Sequence, residues 1–499
     1  MTELTVFATT YNLNTRGAGL ASSHLQHWLH PAFEGDATGS TTAPDLVVIG
    51  VQELIPLHES RMLLFSSTQM DRCSHVFVLI AVSGFGATFI VDFQHAIVTA
   101  LNTLAASLFP SNPASFRSVA PGPDYKSTSI GSIILLVFHN AQTVPDHKLG
   151  RPSIACLGLG LGSTYGLDIW SEDRGGYGMG NKGAVGLRIP INRGTENEEF
   201  WESFTFIGAH LAAHDKNLAE RNANYRQILS SMLFTPSSSL DRPLRVWQTS
   251  HIFFLGDLNY RLATAPTGLE GALKESSLRL EGSGDASVLA KERQKLVALD
   301  TLKQQQAQGK AFTFLSEGSL ENFAPTYKRI IGQVDGYNKK RRPGYTDRIL
   351  FASYRGPRGS PNESSDASTE SSPLLDVTDG QNPSDSGRIS KYDSIPDLTV
   401  SDHKPVYALI KIPTPSSDSQ HRYASQHSTP FLPFPSAMSP PATDALSLGV
   451  RRAISQVVDR TVGLTWYATL MLGAGNLIAG LLVEGLLVLV TLTWWMGLW

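Results

Sequence analysis

Eight apolar runs of strand length lie between residues 4 and 412: Leu4–Ala8, Asp45–Val51, Ser132–Phe138, Ala184–Ile189, Phe204–Ile207, His251–Leu255, Arg348–Phe351 and Val406–Ile412. They are rich in β-branched residues and bounded by Gly, Pro, Asn or Asp, the pattern of strands buried on one or both faces. Helical candidates fall between them. Asp215 stands where a cap would, ahead of Leu218, Tyr225, Ile228, Leu229 and Met232 at helical spacing. Residues 288–306 form a second candidate with a Gln-rich end. Strands and helices intermixed over this length predict a layered α/β domain.

Two stretches interrupt the pattern. Residues 356–391, dense in Ser, Asp, Asn, Pro and Gly, read as a disordered insert, and strand-like sequence resumes at Leu398. Residues 413–445 read as a disordered linker that ends the domain begun at residue 1. Residues 1–20 lack a basic segment, an apolar core and a cleavage site in that order, so no targeting signal is expected there and the chain is expected to begin within a strand, with no domain ahead of it. With 41 basic and 44 acidic side chains among 499 residues, the chain lacks the cationic excess of a general nucleic-acid binder. Its two cysteines, Cys73 and Cys156, exclude a disulfide-rich scaffold and suit a reducing compartment.

Chemistry-bearing residues gather at the strand ends. The first run leads into Thr10-Tyr11-Asn12 and the second into Gln52-Glu53. Later runs lead into His210-Leu211-Ala212-Ala213-His214 and Asp257-Leu258-Asn259-Tyr260-Arg261, and the last follows Ser401-Asp402-His403-Lys404-Pro405. Any one such cluster is an ordinary solvated loop. Five in one domain point to a shared site, because loops at one end of a sheet stack converge. Glu53 with amide and carboxylate neighbours suits a hard ion such as Mg²⁺. The histidines can contact a phosphate, and Asp257 can orient or deprotonate a water. No zinc-finger spacing is present. A Gly-rich stretch, Gly175–Gly183, carries Asn181 and Lys182 and lacks the Ser/Thr of a P-loop, yet its amides and lysine could cradle an anion. Pro325-Thr326-Tyr327-Lys328 and the basic run Lys339–Arg342 read either as solvated loops or as a cationic pocket for a multiply phosphorylated substrate.

Taken in order, Gln52-Glu53, Gly180-Asn181-Lys182-Gly183, His210–His214, Gly256–Arg261, Pro325–Lys328, Asp347–Leu350 and Ser401–Val406 resemble the motifs of the inositol polyphosphate 5-phosphatases, within the endonuclease/exonuclease/phosphatase superfamily. The resemblance covers residues 4–355 and 392–412. It implies a four-layer α/β sandwich with its site at one end, and a phosphoric monoester hydrolase. It further implies Glu53 as the Mg²⁺ ligand with Asn12 near metal and phosphate, Asp257 as the base that activates water, and Asn259 positioning it. His210 and His403 would hold the scissile phosphate, with Asp402 fixing the His403 imidazole. Asn181, Lys182, Tyr327, Lys328 and Lys339 would grip the neighbouring phosphate, and Arg348 would support the site. Tyr11 stands where the family has Trp, and Gly344-Tyr345-Thr346 where it has Ala-Trp-Cys. Both keep an aromatic, so the expected effect is on packing. Residues 76–91, without a family counterpart, read as a buried strand or helix rather than a second anchor.

The C-terminal end differs in kind. Residues 446–461 place apolar side chains on one helical face and arginines on the rest, as in an interfacial helix. Residues 462–499 carry one charge, Glu484, and read as a membrane anchor, either one transmembrane helix or a hairpin turning near Glu484-Gly485. The arginines put the catalytic domain on the cytosolic side, with the endoplasmic reticulum or another endomembrane as the expected location. The overall expectation is a Mg²⁺-dependent phosphatase that removes the 5-phosphate of phosphatidylinositol 4,5-bisphosphate, with the 3,4,5-trisphosphate left open as a second substrate. The alternatives are a soluble inositol phosphate substrate, a superfamily phosphodiesterase acting on sphingomyelin or abasic DNA, and an inactive phosphoinositide-binding scaffold.

Overall fold

A computed structural model describes residues 3–35, 42–54, 84–120, 129–130, 132–160, 179–195, 198–234, 243–274, 285–354, 387–415, 429, 431–432, 469, 472–473 and 477–495. Fourteen strands are defined among these residues. They are β1 (Leu4–Asn12), β2 (Leu46–Gln52), β3 (Phe116–Ser118), β4 (Ser129–Ile130), β5 (Ile133–Asn140), β6 (Ser153–Gly160) and β7 (Met179–Asn192), followed by β8 (Trp201–His210), β9 (Leu233–Phe234), β10 (Leu244–Arg245), β11 (His251–Asp257), β12 (Asp347–Ser353), β13 (Arg388–Ser394) and β14 (Val406–Ile412). The helices are α1 (Ser22–Leu29), α2 (Gly84–Leu108), α3 (Leu218–Ser231), α4 (Asp285–Ala298), α5 (Thr301–Ala307) and α6 (Leu477–Trp495).

Two sheets carry the architecture. One runs β13-β14-β1-β2-β5-β3 with β4 beside β5, and the other β12-β11-β8-β7-β6. The two-residue side-chain period of a strand sorts each into an inner and an outer face. Val6 and Ala8 of β1 join Phe206, Phe253 and Ile349 in the core between the sheets. Phe7 faces the other way and packs with Trp28, Leu29, Ile97 and Leu101 of α1 and α2. On the far side, Ile207 and Phe254 pack against Tyr225, Ile228 and Leu229 of α3 and against Phe312. The result is helix, sheet, sheet, helix: the four expected layers.

All eight strands read from the sequence are present. The short β3, β4, β9 and β10, together with β6 and β13, fall outside that pattern: the glycines of β6 dilute its apolar signal, although Ile154 to Leu159 pack into the cores on either side. The insert expected to run to residue 391 gives way to β13 at Arg388, where polar Arg388, Lys391 and Asp393 pair along β14 as an edge strand. Residues 76–83 lie outside the described residues, and 84–91 open α2, whose Ile90, Phe93, Ile97, Leu101 and Leu104 are buried at helical spacing. Asp215 does not cap α3. It sits in a 3-10 turn and pairs with Arg261 instead. The second helical candidate breaks in two at Asp300, whose carboxylate accepts from Lys303 N–H as the cap of α5. Among its described residues, the segment read as linker contacts the body: Arg193 NH2 donates to Pro413 O at 3.2 Å and Arg188 lies over the Phe431 ring. Leu432 is buried and its N–H donates to Thr249 O at 2.8 Å.

The expected interfacial helix at 446–461 lies outside the described residues. Of the anchor expected at 462–499, residues 469, 472–473 and 477–495 are described, and among the described residues no helix is long and apolar enough to cross a membrane. The chain does not turn at Glu484-Gly485, because α6 runs through both. Glu484 falls within its length and accepts from Thr469 Oγ1 at 2.6 Å.

Candidate active site

Strand register brings the chemistry together. β1 and β2 are parallel, as are β8 and β11, so Asn12, Gln52, His210 and Asp257 all finish at one end. β12 and β14 run the other way and present their starts there, Asp347 directly beside Asp257 and Val406 beside Thr10. Gly256, with φ +142°, makes the closest approach: a Cβ there would lie 1.9 Å from Ala209 O. No other residue type lets β11 deliver Asp257 so near to β8. Glu53 and Asn259, the first residues past β2 and β11 to aim into the cleft, adopt left-handed φ of 51° and 59°. Such strain gathers where surrounding structure must point a side chain.

The cleft they enclose measures ≈ 120 Å³ and is lined by Asn12, Asn14, Glu53, Lys182, His210, Asp257, Asn259, Arg261, Tyr327, Lys328, Asp402 and His403. Asp257 is its hub. Oδ2 accepts from Asn12 Nδ2 at 2.9 Å and lies 3.3 Å from His210 Nε2 and 3.9 Å from His403 Nε2. Oδ1 accepts from Asn259 N–H at 3.0 Å. Burial pushes the Asp257 carboxyl up, but the His210 hydrogen bond and the charges of His210, His403 and Lys182 outweigh it and hold the group well below the usual carboxylate range. Lys182, reached by β7 in extended strand rather than by a phosphate-cradling loop, contacts His210, and burial pushes its ammonium down. Arg261 stacks over Tyr327 at 4.8 Å, and Tyr327 stacks on His403 at 4.6 Å.

Histidine 403 is oriented by a residue the sequence reading did not select. Its Nδ1 lies 2.9 Å from Asp347 Oδ2, which also accepts from Thr326 Oγ1 at 2.6 Å and Thr346 Oγ1 at 2.9 Å. Burial alone would push the imidazole down. The Asp347 charge and hydrogen bond, with Asp257 and Asp402 behind them, instead raise it to about 9. Asp402, expected to hold that ring, pairs with Lys328 Nζ at 2.7 Å. Asp347 and Arg261 were both visible inside conspicuous motifs, but nothing in their spacing shows which histidine or ring they meet.

Other expected residues stand differently. Asn181 lies on β7, where only its backbone is described. Lys339 is exposed and does not line the cleft. Arg348 is wholly buried beneath the cleft, with NH1 3.0 Å from Asp300 Oδ2, Nε 2.8 Å from Glu317 Oε2, and NH2 bonded to Glu317 Oε1. It braces the start of β12 rather than touching a ligand. Arg348→Ala, which removes the ion pair of buried Asp300 and leaves Glu317 to Lys303 alone, is expected to lower stability by about 3–5 kcal/mol in urea unfolding. A loss under 1 kcal/mol would contradict that role. Tyr11, in the place of the family's Trp, is buried edge-on to Trp28 with centroids 5.4 Å apart, a packing role as expected.

The oxygen-rich corner of the cleft fits a hard divalent cation. Glu53 is one-third exposed, with its nearest charged partner, His210, at 3.8 Å. Asn12 offers Oδ1, which accepts only the Asn14 N–H at 3.0 Å. Carboxylate and carbonyl oxygens without thiolate are the donor set such an ion takes. Asp257, Asp347 and His403 also converge within 4.8 Å, a second group that could hold an ion; Asp347 Oδ2 takes three hydrogen bonds, and its Oδ1 is buried without one.

The sequence profile described as "Endonuclease/Exonuclease/phosphatase family 2" matches residues 9–409. The chain is 30% identical to Synaptojanin-2 of Rattus norvegicus over 49% of its own length and 14% of that protein. It is 26% identical to Type IV inositol polyphosphate 5-phosphatase 9 of Arabidopsis thaliana over 62% of its length and 64% of the relative. It thus spans less than two-thirds of these relatives. Among solved structures, the inositol polyphosphate 5-phosphatase domain of SPsynaptojanin, in complex with inositol (1,4)-bisphosphate and calcium ion, superposes with a TM-score of 0.50 at 21% identity. That match covers 85% of this chain and 89% of the other, and shows a shared fold.

Proposed function

The chain belongs to the Endonuclease/Exonuclease/phosphatase family 2, and from that premise we propose that it is a phosphoric monoester hydrolase that removes the 5-phosphate from inositol phosphates and phosphoinositides, with phosphatidylinositol 4,5-bisphosphate as its lipid substrate and Mg²⁺ as its metal. The observation that carries this reading is one cleft in which His210, His403 and Asp257 face Lys182, Lys328 and Arg261. Two relatives whose names include inositol polyphosphate 5-phosphatase or synaptojanin support the substrate class.

Each side chain has a task that its surroundings allow. Asp257 is ionised at any working pH, so it orients the attacking water and accepts its proton as the bond to phosphorus forms; the bond from phosphorus to the inositol 5-oxygen breaks in the same step, and that oxygen leaves as the hydroxyl with a proton drawn from solvent. The Asn259 N–H and the Asn12 amide fix the two carboxylate oxygens so that neither rotates away. His403, protonated up to about pH 9, donates to a phosphate oxygen from the side opposite Asp347. His210 donates from the β8 side. Glu53 and Asn12 would hold the metal, which supplies Lewis-acid stabilisation of charge on the phosphate oxygens. Lys182 and Lys328 would take the neighbouring phosphate, and Lys328 must first leave Asp402 to do so.

Phosphate release from a panel of defined phosphoinositides and from inositol 1,4,5-trisphosphate, with Mg²⁺ and with chelator, tests the reading. Release confined to 5-phosphorylated members and falling to background on chelation is expected. Release that is indifferent to chelator, or to the position of the phosphate, would overturn it. Action at a cytosolic membrane face belongs to the same proposal, and fractionation of cells expressing the tagged full chain tests it.

A further inference from the structure

Outside α6, five large apolar side chains among the described residues exceed about a third exposure: Leu108, Ile330, Ile331, Phe431 and Leu472. Two of them are consecutive and follow closely on Lys328, which lines the cleft. Ile330 is 40% and Ile331 37% exposed. They form the tip of a hairpin closed by the bridges Tyr327↔Gly344 and Arg329↔Tyr337.

The tip is held firmly. Arg329 N–H donates to Asp402 O at 2.8 Å, Gly332 N–H to Thr399 O at 2.9 Å, and Ile330 N–H to Gly336 O at 3.0 Å. Lys404 Nζ reaches Gln333 O at 3.2 Å, and Arg329 stacks over Tyr337 at 4.3 Å. A tip bonded to the loop that carries His403 does not fold away to hide its isoleucines. The returning arm carries Lys340 and Arg341, both exposed and without an ion pair among the described residues, whereas Arg342 is drawn to Asp215 at 3.7 Å. Paired aliphatic side chains next to unpaired cations form an amphipathic edge.

We propose that this hairpin is a docking edge for an anionic lipid bilayer, with Ile330 and Ile331 entering the headgroup–acyl boundary and Lys340 and Arg341 resting on the anionic surface. Charge complementarity argues for this occupant over an apolar protein partner, which would leave both cations desolvated and unpaired. The proposal deepens the lipid-substrate reading and rests on it for its purpose, since the edge would turn the cleft toward a headgroup in the bilayer plane. Its binding step does not need catalysis.

The test uses the full chain with Ile331→Cys carrying an environment-sensitive fluorophore, in a Cys73→Ser, Cys156→Ser background, so that the hairpin is reported and α6 is not. The probe is a vesicle of phosphatidylcholine and phosphatidylserine without phosphoinositide. Blue-shifted emission, quenched by spin-labelled lipid, is expected. Lys340→Gln with Arg341→Gln should weaken that response roughly thirtyfold, at about fivefold for each cation. Ile330→Ser in the labelled chain should reduce the shift further. Vesicles that sediment the protein without shifting the label would overturn the proposal. So would a shift that appears without vesicles as protein concentration rises, which would mark a contact between copies. The unlabelled Ile330→Ser, Ile331→Ser double variant should hydrolyse inositol 1,4,5-trisphosphate like the parent. Loss of that hydrolysis in the parent, with the shift intact, would sink the activity reading and leave the docking edge standing.

Discussion

Asp257→Asn is expected to lower kcat by about 10⁴-fold, the upper range for loss of a positioned acid–base group, while circular dichroism stays close to the parent's and the melting transition falls, because a carboxyl held well below its usual range lends the fold stability that the amide does not. The near-isosteric amide still accepts the Asn259 N–H, so β11 keeps its end and the cleft keeps its outline. What disappears is the charge. Asp257 Oδ2 is shared by Asn12, His210 and His403 at 2.9, 3.3 and 3.9 Å, so one neutral atom there leaves the water unoriented and two imidazoles without their common anion. Phosphate release within tenfold of the parent would remove Asp257 from the role argued for it.

Asp347→Asn separates orientation from direct contact. Asp347 does not line the cleft, yet it holds His403 Nδ1 at 2.9 Å. Loss of that carboxylate should cost about 10²–10⁴-fold in kcat with a smaller change in KM. It should also move the alkaline limb of the kcat–pH profile from near 9 toward the ordinary histidine value of 6.5. The same pair makes a prediction for folding. A histidine whose folded pKa is raised contributes stability that is whole below pH 6.5 and is lost as pH rises through about 9. The parent should therefore exceed Asp347→Asn by about 3 kcal/mol at pH 6, and the gap should narrow steadily toward pH 9.5. A gap that is flat with pH would show that Asp347 acts through packing alone. An unmoved alkaline limb would assign that limb to another group.

Much of this arrangement was legible before any coordinates. The eight buried strands announce themselves because a strand covered on both faces has to be apolar along its whole length, and β2, with every residue buried, is the clearest case. Edge strands need no such run, so β13, with Arg388, Lys391 and Asp393 facing out, passed for part of a polar insert.

The cleft divides in the same way. Asn12, Glu53, His210, Asp257, Asn259 and His403 could be chosen as chemical groups because their types are those a phosphate and a hard cation require. Their partners could not. Asn12 and Asp257 are 245 residues apart, and His403 meets Asp347 across 56. Such pairs exist only once parallel and antiparallel registers have placed particular strand ends side by side. That is why Asp347 holds His403 while Asp402 turns to Lys328, and why Arg348 lies beneath the site rather than in it. Local sequence sets backbone preference and polarity over a few residues, which is enough for the order and kind of the strands and for the identity of the reactive groups. Hydrogen-bond partners, charge states and which side chains reach the cleft depend on distances between segments remote in the chain, and only the packed sandwich sets those.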